Sequence, residues 1–417
     1  MRNKKILDKS INVKSDHSCV GCGVCQAVCP AGAISLGLDK DGFYKAHVDE
    51  SKCMNCGRCQ EVCSKFPEKF PPPREIPKKS YVGYYRTEEI RWPSSSGGFA
   101  TALAETAIEN GYRVIGAELD YKTFKLEHVV IDKKENLSRI RGSKYFQSRF
   151  QDILSRINKN GKYVVIGTPC QIGALRKVIT GKKEYEDVIL VDLYCAGVLG
   201  RNAVDKFVDY MKEINKSGIK IMNMRDKTSS WLLWGMKVIF KDGKQYYRNK
   251  YVDPLLYVFR TRQALQDACL ECDTYKNGSY ADLRLRDAWG FDPKKINEDF
   301  KKGLSQVLVY TDKGEELFSK AKNKIFCREV EFLAVKDFGY PRKRNYQLLE
   351  LLRTNSGLVS IVNIYKRSLS IRDKFRHKLS YFCATDFYIS FFKRFEKVLL
   401  ALPKPVKKFL KKLLREW

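Results

Sequence analysis

Eight of the fourteen cysteines fall between positions 19 and 63, in two copies of one spacing. The first copy is Cys19-x2-Cys22-x2-Cys25-x3-Cys29 followed by Pro30; the second is Cys53-x2-Cys56-x2-Cys59-x3-Cys63 followed by Ser64. Three thiolates within seven residues can wrap one iron–sulfur cube, while the fourth reaches across to the other cube. The expected ligand sets are therefore Cys19, Cys22, Cys25 and Cys63 for one 4Fe–4S cluster, and Cys53, Cys56, Cys59 and Cys29 for a second. Gly21, Gly23 and Gly57 suit loops whose backbone must approach a cluster closely. Structural zinc is the competing reading, but zinc sites usually take two close cysteines plus a distant pair. Two clusters this close form a wire rather than a catalyst.

Four further cysteines could carry a third cluster. Cys170 and Cys195 each lie at or just beyond the C-terminal end of a predicted strand, where ligands gather in α/β sheets. Cys269 and Cys272 are a close pair, and together the four supply the thiolates of one cube. Spacing alone leaves an equal alternative, that Cys170 and Cys195 are buried apolar thiols. Cys327 and Cys383 have no partner motif and read as structural. Ser94, Ser95, Ser96, Gly97 and Gly98 stand just before a helical run, a natural place for a phosphate or pyrophosphate. An ordinary capped helix with a Ser-rich entry loop explains the same residues. In GSKYFQS (142–148), Lys144 is either a ligand-facing cation or a solvated loop lysine.

These residues need elements to hold them. The 417-residue length suggests two to three domains, and 44% hydrophobic with 12% aromatic content is ample for packed cores. Residues 1–66 form the two-cluster module and 67–79, PEKFPPPREIPKK, an extended Pro-rich linker. From 80 to 340, strand-like YVGYY, YRVIGAEL, YVVIG and VILVDLYC alternate with helical GFATALAETAIENG and NAVDKFVDYMKEINKSG. That alternation predicts an α/β core with at least partly parallel pairing. The expected fold class is thus a multidomain α+β and α/β chain: a ferredoxin-like 2x(4Fe–4S) domain, a central α/β domain and a basic helical tail. The start shows no signal-peptide pattern and no run approaches a membrane span, so the chain reads as cytoplasmic.

The net charge of +30 asks for an acidic partner. Residues 366–417 hold 15 Lys or Arg against 4 Asp or Glu. In VKKFLKKLLREW, Val406, Phe409, Leu410, Leu413, Leu414 and Trp417 share one helical face opposite the lysines. A basic amphipathic helix of this kind lies in an anionic membrane interface or packs on protein. Peripheral attachment at the inner face of the membrane is the expectation; nucleic acid is not, since no binding motif accompanies the charge.

SSSGGFATAL (94–103), GSKYFQS (142–148), GTPCQIGALRK (167–177), LYCAG (193–197) and CLECD…ADLRLRDAWG (269–290) occur in this order. In them the chain resembles the coenzyme F420 hydrogenase/dehydrogenase beta-subunit family, over roughly residues 80–330. The resemblance implies two domains, 80–158 and 159–340, with 341–417 as the tail. It also implies FAD and a third 4Fe–4S cluster, with Ser94, Ser95, Ser96, Gly97, Gly98, Ser143, Lys144 and Thr168 as flavin-binding residues and Cys170, Cys195, Cys269 and Cys272 as ligands. One departure is Arg286, where members commonly have Gly before the Asp; it puts the flavin or substrate geometry in question and suggests a site for an anionic substrate. His17, His47, His128 and His377 match none of these motifs, which leaves Lys144, Tyr145 and Asp287 as candidate catalytic groups.

No nicotinamide fingerprint follows a predicted strand, so ferredoxin or flavodoxin is the expected electron donor. The leading expectation is an iron–sulfur flavoprotein reductase acting on a small-molecule or lipid-linked substrate. Related chains occur with exopolysaccharide biosynthesis systems. The alternatives are a non-catalytic electron-transfer subunit of a larger hydrogenase or dehydrogenase, and a membrane-docked protein that has lost its flavin.

Overall fold

Each cysteine motif closes on a four-residue helix that starts at a left-handed glycine. Helix α1 (Val24–Ala27) follows Gly23 and α2 (Arg58–Glu61) follows Gly57, both at φ 76°. A side chain there would cost roughly 1–2 kcal/mol. Between the two lies the antiparallel pair β1 (Ile34–Leu38) and β2 (Tyr44–Val48), with Ile34 opposite Val48. In this computed structural model the described residues are 19–66, 72–270, 272, 278–296, 301–332, 346–354 and 356–368. The expected amphipathic helix of the tail, Cys383, His17 and His377 lie outside them. Of the expected linker, 67–71 also lies outside, while Arg74 exchanges two backbone hydrogen bonds of 2.9 Å with Ser279, which pins the segment to the body.

The remaining strands are β3 (Lys79–Tyr85), β4 (Arg113–Asp120), β5 (Lys125–Ile131), β6 (Tyr163–Gly167), β7 (Val188–Leu193), β8 (Ile219–Asp226), β9 (Gly235–Phe240), β10 (Gln245–Asn249), β11 (Leu283–Asp287), β12 (Ser305–Val309) and β13 (Ile325–Glu329). Eight of them form one sheet, ordered β13-β3-β12-β11-β7-β6-β4-β5. The centre, β11-β7-β6-β4, is parallel and the outer strands are antiparallel. Strands from both sides of residue 158 share this sheet.

One face of the sheet lies under α3 (Phe99–Glu109) and α8 (Asp312–Ala321), against Val164, Ile189, Val191, Leu283, Leu285 and Val307. Helix α3 ends where Gly111, at φ 78°, lets the Tyr112 amide turn back to the Ala107 carbonyl. The opposite face meets α4 (Pro169–Ile179) and, through Val24 and Val62, the cysteine-rich module. On that face Arg284 of β11 grips Asp192 of β7 through Nε and Nη2 at 2.7 and 2.8 Å, with both side chains fully buried. Removing one partner alone would strand a buried charge at about 3–5 kcal/mol.

A second core is built on the three-stranded sheet β10-β9-β8. It packs α5 (Arg201–Ile214), α6 (Pro254–Thr261), α9 (Tyr346–Arg353) and α10 (Leu358–Ser368) through Phe207, Met211, Leu256, Leu349 and Ile361. The first part of the expected tail is thus a helix pair packed on the body. Among the described residues no helix is long and apolar enough to cross a membrane.

His128 of β5 is buried with its ring edge-on to Phe150, and its Nε2 has no partner among the described residues. Burial pulls its pKa down to about 4. The unfolded chain therefore takes up the proton first, and stability present above pH 6.5 is lost as the pH falls toward 4. Between pH 7.5 and 5.5 the wild-type fold should lose roughly 1 kcal/mol that His128→Leu does not lose, read from denaturation midpoints at both pH values. Equal losses would show that the histidine is not the sensor.

Candidate functional site

The two motifs of the N-terminal module sit in different surroundings. Cys29, Cys53, Cys56 and Cys59, the crossed set expected from spacing, line one cavity of about 370 Å3 including its open mouth. Cys56 and Met54 there are exposed. In the set Cys19, Cys22, Cys25 and Cys63, Cys25 is buried, and burial raises the thiols of Cys22, Cys25 and Cys63, with Cys19, Cys63 and Cys59 adding at Cys25. Backbone amides already point at sulfur, Gly21 N–H to Cys19 Sγ at 3.4 Å and Ala33 N–H to Cys29 Sγ at 3.3 Å. Among the described residues no three His, Cys, Asp or Glu groups converge as a single metal ion would require. A cube takes its thiolates at four separate corners, a wider spread than one tetrahedral ion allows.

The module is fastened to the body around the deeper motif. Gln147 donates to the Val20 carbonyl at 3.0 Å and accepts from the Tyr44 amide at 2.7 Å; Gln266 donates to the Cys19 carbonyl at 2.7 Å. Arg353 of α9 reaches Asp41 at 2.9 Å. These contacts bring Cys22 within electrostatic reach of Cys170, the second residue of α4.

Cys170 and Cys195 follow the neighbouring parallel strands β6 and β7 at the same sheet end. Gly197, at φ 111°, lets the Cys195 loop close on α7 (Asp267–Leu270), since a Cβ there would come 2.5 Å from Leu265 and 3.4 Å from the Cβ of Cys269. Burial, with neighbouring thiols adding, raises Cys170 to about 11 and Cys195 to about 12, and raises Cys269 well above its usual value. Cys170, Cys195 and Cys272 all act on Cys269, so four half-buried thiols crowd one place. Such a set deprotonates when cations neutralise it, which is the chemistry of an iron–sulfur site.

On the other face, two distant motifs meet. The Ser143 amide and hydroxyl lie 2.8 and 2.9 Å from the Ser95 hydroxyl. Arg225 of β8 donates to the Ser95 carbonyl, to the Tyr145 hydroxyl at 3.3 Å and to Asp287 at 2.7 Å. Burial opposes its charge, yet Asp287 and Tyr145 hold its pKa above the ordinary value. Trp231 donates to Asp287 and stacks on Trp289 at 4.3 Å, while Tyr145 stacks on Phe259 at 4.1 Å. Lys227 donates to the carbonyls of Arg91, Ser96 and Lys302 at 2.7–2.9 Å, clamping the Ser-rich loop; burial draws it down to about 7.

Not every residue expected at a flavin site faces this place. Ser94 and Ser96 donate to the carbonyls of Ile90 and Leu304, and Gly97 fits where a Cβ would come 2.5 Å from the Ser305 amide. Gly98, at φ 91°, opens α3. Lys144 spends its three N–H bonds on the carbonyls of Ala117, Ile140 and Arg141, each at 3.0 Å, and burial lowers it to about 7. Thr168 caps α4 and lies 3.2 Å from Cys170, on the cysteine side. Arg286 alternates away from Asp287 and donates to Gln306 at 2.8 Å, so its charge does not enter the Ser95–Asp287 site. Arg225, Lys227 and Trp231 lie in no motif, and two tryptophans in the turn-rich KTSSWLLWG (227–235) were their nearest signal; Gln147 lies within GSKYFQS, where nothing marked it as a contact to the cysteine module.

A family profile described as the C-terminal part of the coenzyme F420 hydrogenase/dehydrogenase beta subunit matches residues 160–332, and the profile of its N-terminal part matches 80–155. A 4Fe–4S dicluster domain matches 18–66. No curated protein is significantly similar. A chain from the xenon-derivatised F420-reducing [NiFe] hydrogenase complex of Methanosarcina barkeri is 19% identical, with 72% of this chain and 94% of that one covered at a TM-score of 0.45.

Replacing Lys227 by Met should leave three carbonyls without their donor and lower stability by about 3 kcal/mol. Hydrogen exchange of residues 94–98 should quicken selectively. Unchanged exchange there would show that the loop holds without the clamp.

Proposed function

Because the chain belongs to the coenzyme F420 hydrogenase/dehydrogenase beta-subunit family and carries a 4Fe–4S dicluster domain, we propose that it is an oxidoreductase with three 4Fe–4S clusters and FAD, taking electrons from a ferredoxin or flavodoxin and delivering them to a small-molecule or lipid-linked substrate. It is an iron–sulfur electron-transfer protein of that family. When bound, clusters supply one-electron transfer and a flavin joins that to two-electron chemistry. The observation that carries the proposal is the approach of Cys22 to Cys170, which sets the N-terminal module against a second group of four cysteines.

In this reading Cys29, Cys53, Cys56 and Cys59 hold the cluster nearest solvent, where an outside donor can approach. Cys19, Cys22, Cys25 and Cys63 hold the inner one, and Cys170, Cys195, Cys269 and Cys272 the third. Ser95 and Ser143 offer hydroxyls and an amide to a flavin phosphate or ring edge. Arg225 orients Tyr145 and Asp287, which can hold a proton beside a substrate. Lys144, buried on three carbonyls, positions the Ser143–Tyr145 loop. Service to exopolysaccharide biosynthesis, with the basic tail at the membrane surface, fits the resemblance and the charge. A second reading, an electron-transfer subunit of a larger complex, is favoured by the beta-subunit description of the profiles themselves.

Anaerobic purification should yield about twelve irons and one FAD per chain. About eight irons without flavin would turn the reading to a non-catalytic subunit. Changing Cys269 and Cys272 together to Ser should remove about four irons and leave the N-terminal pair intact; loss of none would sink the third ligand set.

A further inference from the structure

Arg284 is a large cation fully buried at the centre of the sheet, on the face that carries the second group of cysteines. Its Nε and Nη2 are both turned to Asp192, at 2.7 and 2.8 Å. That side-on grip leaves Nη1 on the opposite edge of the guanidinium, buried and without a partner among the described residues. An unpartnered N–H on a buried cation is costly, and native structures keep few of them. The Asp192 carboxylate is itself further occupied by the Ser279 hydroxyl at 2.8 Å. Both chain segments around the pair lead to cysteines: Cys195 lies three residues after Asp192, and the Tyr194 amide bonds the Leu285 carbonyl next to Arg284 at 2.8 Å. Cys195 and Cys272 both register the guanidinium electrostatically.

We propose that the free edge of Arg284 supplies a positive charge and an N–H to the cluster held by Cys170, Cys195, Cys269 and Cys272, and thereby sets its reduction potential. The inference rests on the three-cluster reading above. Reduction of a cluster adds one electron and makes or breaks no bond to the protein. A neighbouring cation stabilises the more negative, reduced form, and hydrogen bonds to sulfur act in the same direction. Arg284 therefore raises this cluster's potential relative to an otherwise equal site lined by apolar groups. Asp192 does two things at once: it compensates the cation so that the site can be buried, and it moderates the field the cluster feels.

The test is an electron-paramagnetic-resonance redox titration of the full chain with its clusters. Arg284→Gln combined with Asp192→Asn keeps the hydrogen-bonded shape without either charge. It should disfavour the reduced third cluster at least tenfold, a downward shift of about 59 mV for one electron, while the potentials of the two N-terminal clusters and the iron content stay as in wild type. Asp192→Asn alone keeps the guanidinium and removes its counter-charge, so the third cluster should shift upward; this variant serves if the double one fails to assemble. Arg284→Lys, which retains a cation on Asp192, should recover most of the double variant's loss. Twelve irons with an unmoved third potential in both Asp192→Asn and the double variant would overturn the role of Arg284 alone. Eight irons in the wild type would overturn it together with the third cluster.

Discussion

Successive side chains of a β-strand point to opposite faces, and the chemistry of this molecule is arranged around that constraint in β11. Arg284 and Arg286 face the cysteine side, bound to Asp192 and Gln306. Leu283 and Leu285 join the apolar core under α3 and α8, and Asp287, on the same face, meets Arg225 and Trp231. One five-residue strand thus serves both candidate sites. Its register against β7, with Arg284 opposite Asp192, decides which residues reach which side. A slip by one residue would exchange the two sets.

The same sheet end gathers the cysteines. Strands β6 and β7 run parallel and finish side by side, so the loops carrying Cys170 and Cys195 emerge together. Parallel strands in an α/β sheet place their ligand-bearing loops at the carboxyl edge for this geometric reason. The N-terminal module is held to that edge by side-chain amides and by Arg353 of α9, rather than by apolar contact alone. Gln147 and Gln266 each recognise a backbone carbonyl at or beside Cys19, which specifies orientation as well as contact.

Much of this was legible in the residues. Cysteine spacing carried the two-cluster module because ligand geometry demands it within a short stretch of chain. Strand and helix alternation from 80 to 340 carried the mixed sheet, since short runs of Val, Ile and Tyr announce buried strands. Other features depended on long-range pairing that no local pattern holds. GSKYFQS read as one motif, yet Ser143 faces Ser95 while Gln147 turns to the N-terminal module. Arg286 read as an intrusion into the flavin or substrate site, and strand alternation places it on the far face. Lys144 read as either a ligand-facing cation or a solvated loop lysine, but three carbonyls from two separate segments surround it. Arg225 and Lys227 gave no signal because their partners lie 62–136 residues away.

The two halves of the cysteine module also differ in how freely each can drift. In the first half Gly21 and Gly23 are hemmed in: a Cβ would come 2.3 Å from the Tyr44 carbonyl oxygen and 2.5 Å from Gln151. In the second half Asn55 takes the left-handed conformation that Gly21 has, and a Cβ at Gly57 would meet nothing within 4 Å among the described residues. Among the described residues the repeated motif is thus divided by its surroundings into a docked copy, whose small residues are dictated by a neighbour, and an outward copy whose Gly57 is set by its own backbone. A substitution at Gly57 therefore meets only its own backbone limits, whereas one at Gly21 or Gly23 must also displace Tyr44 or Gln151.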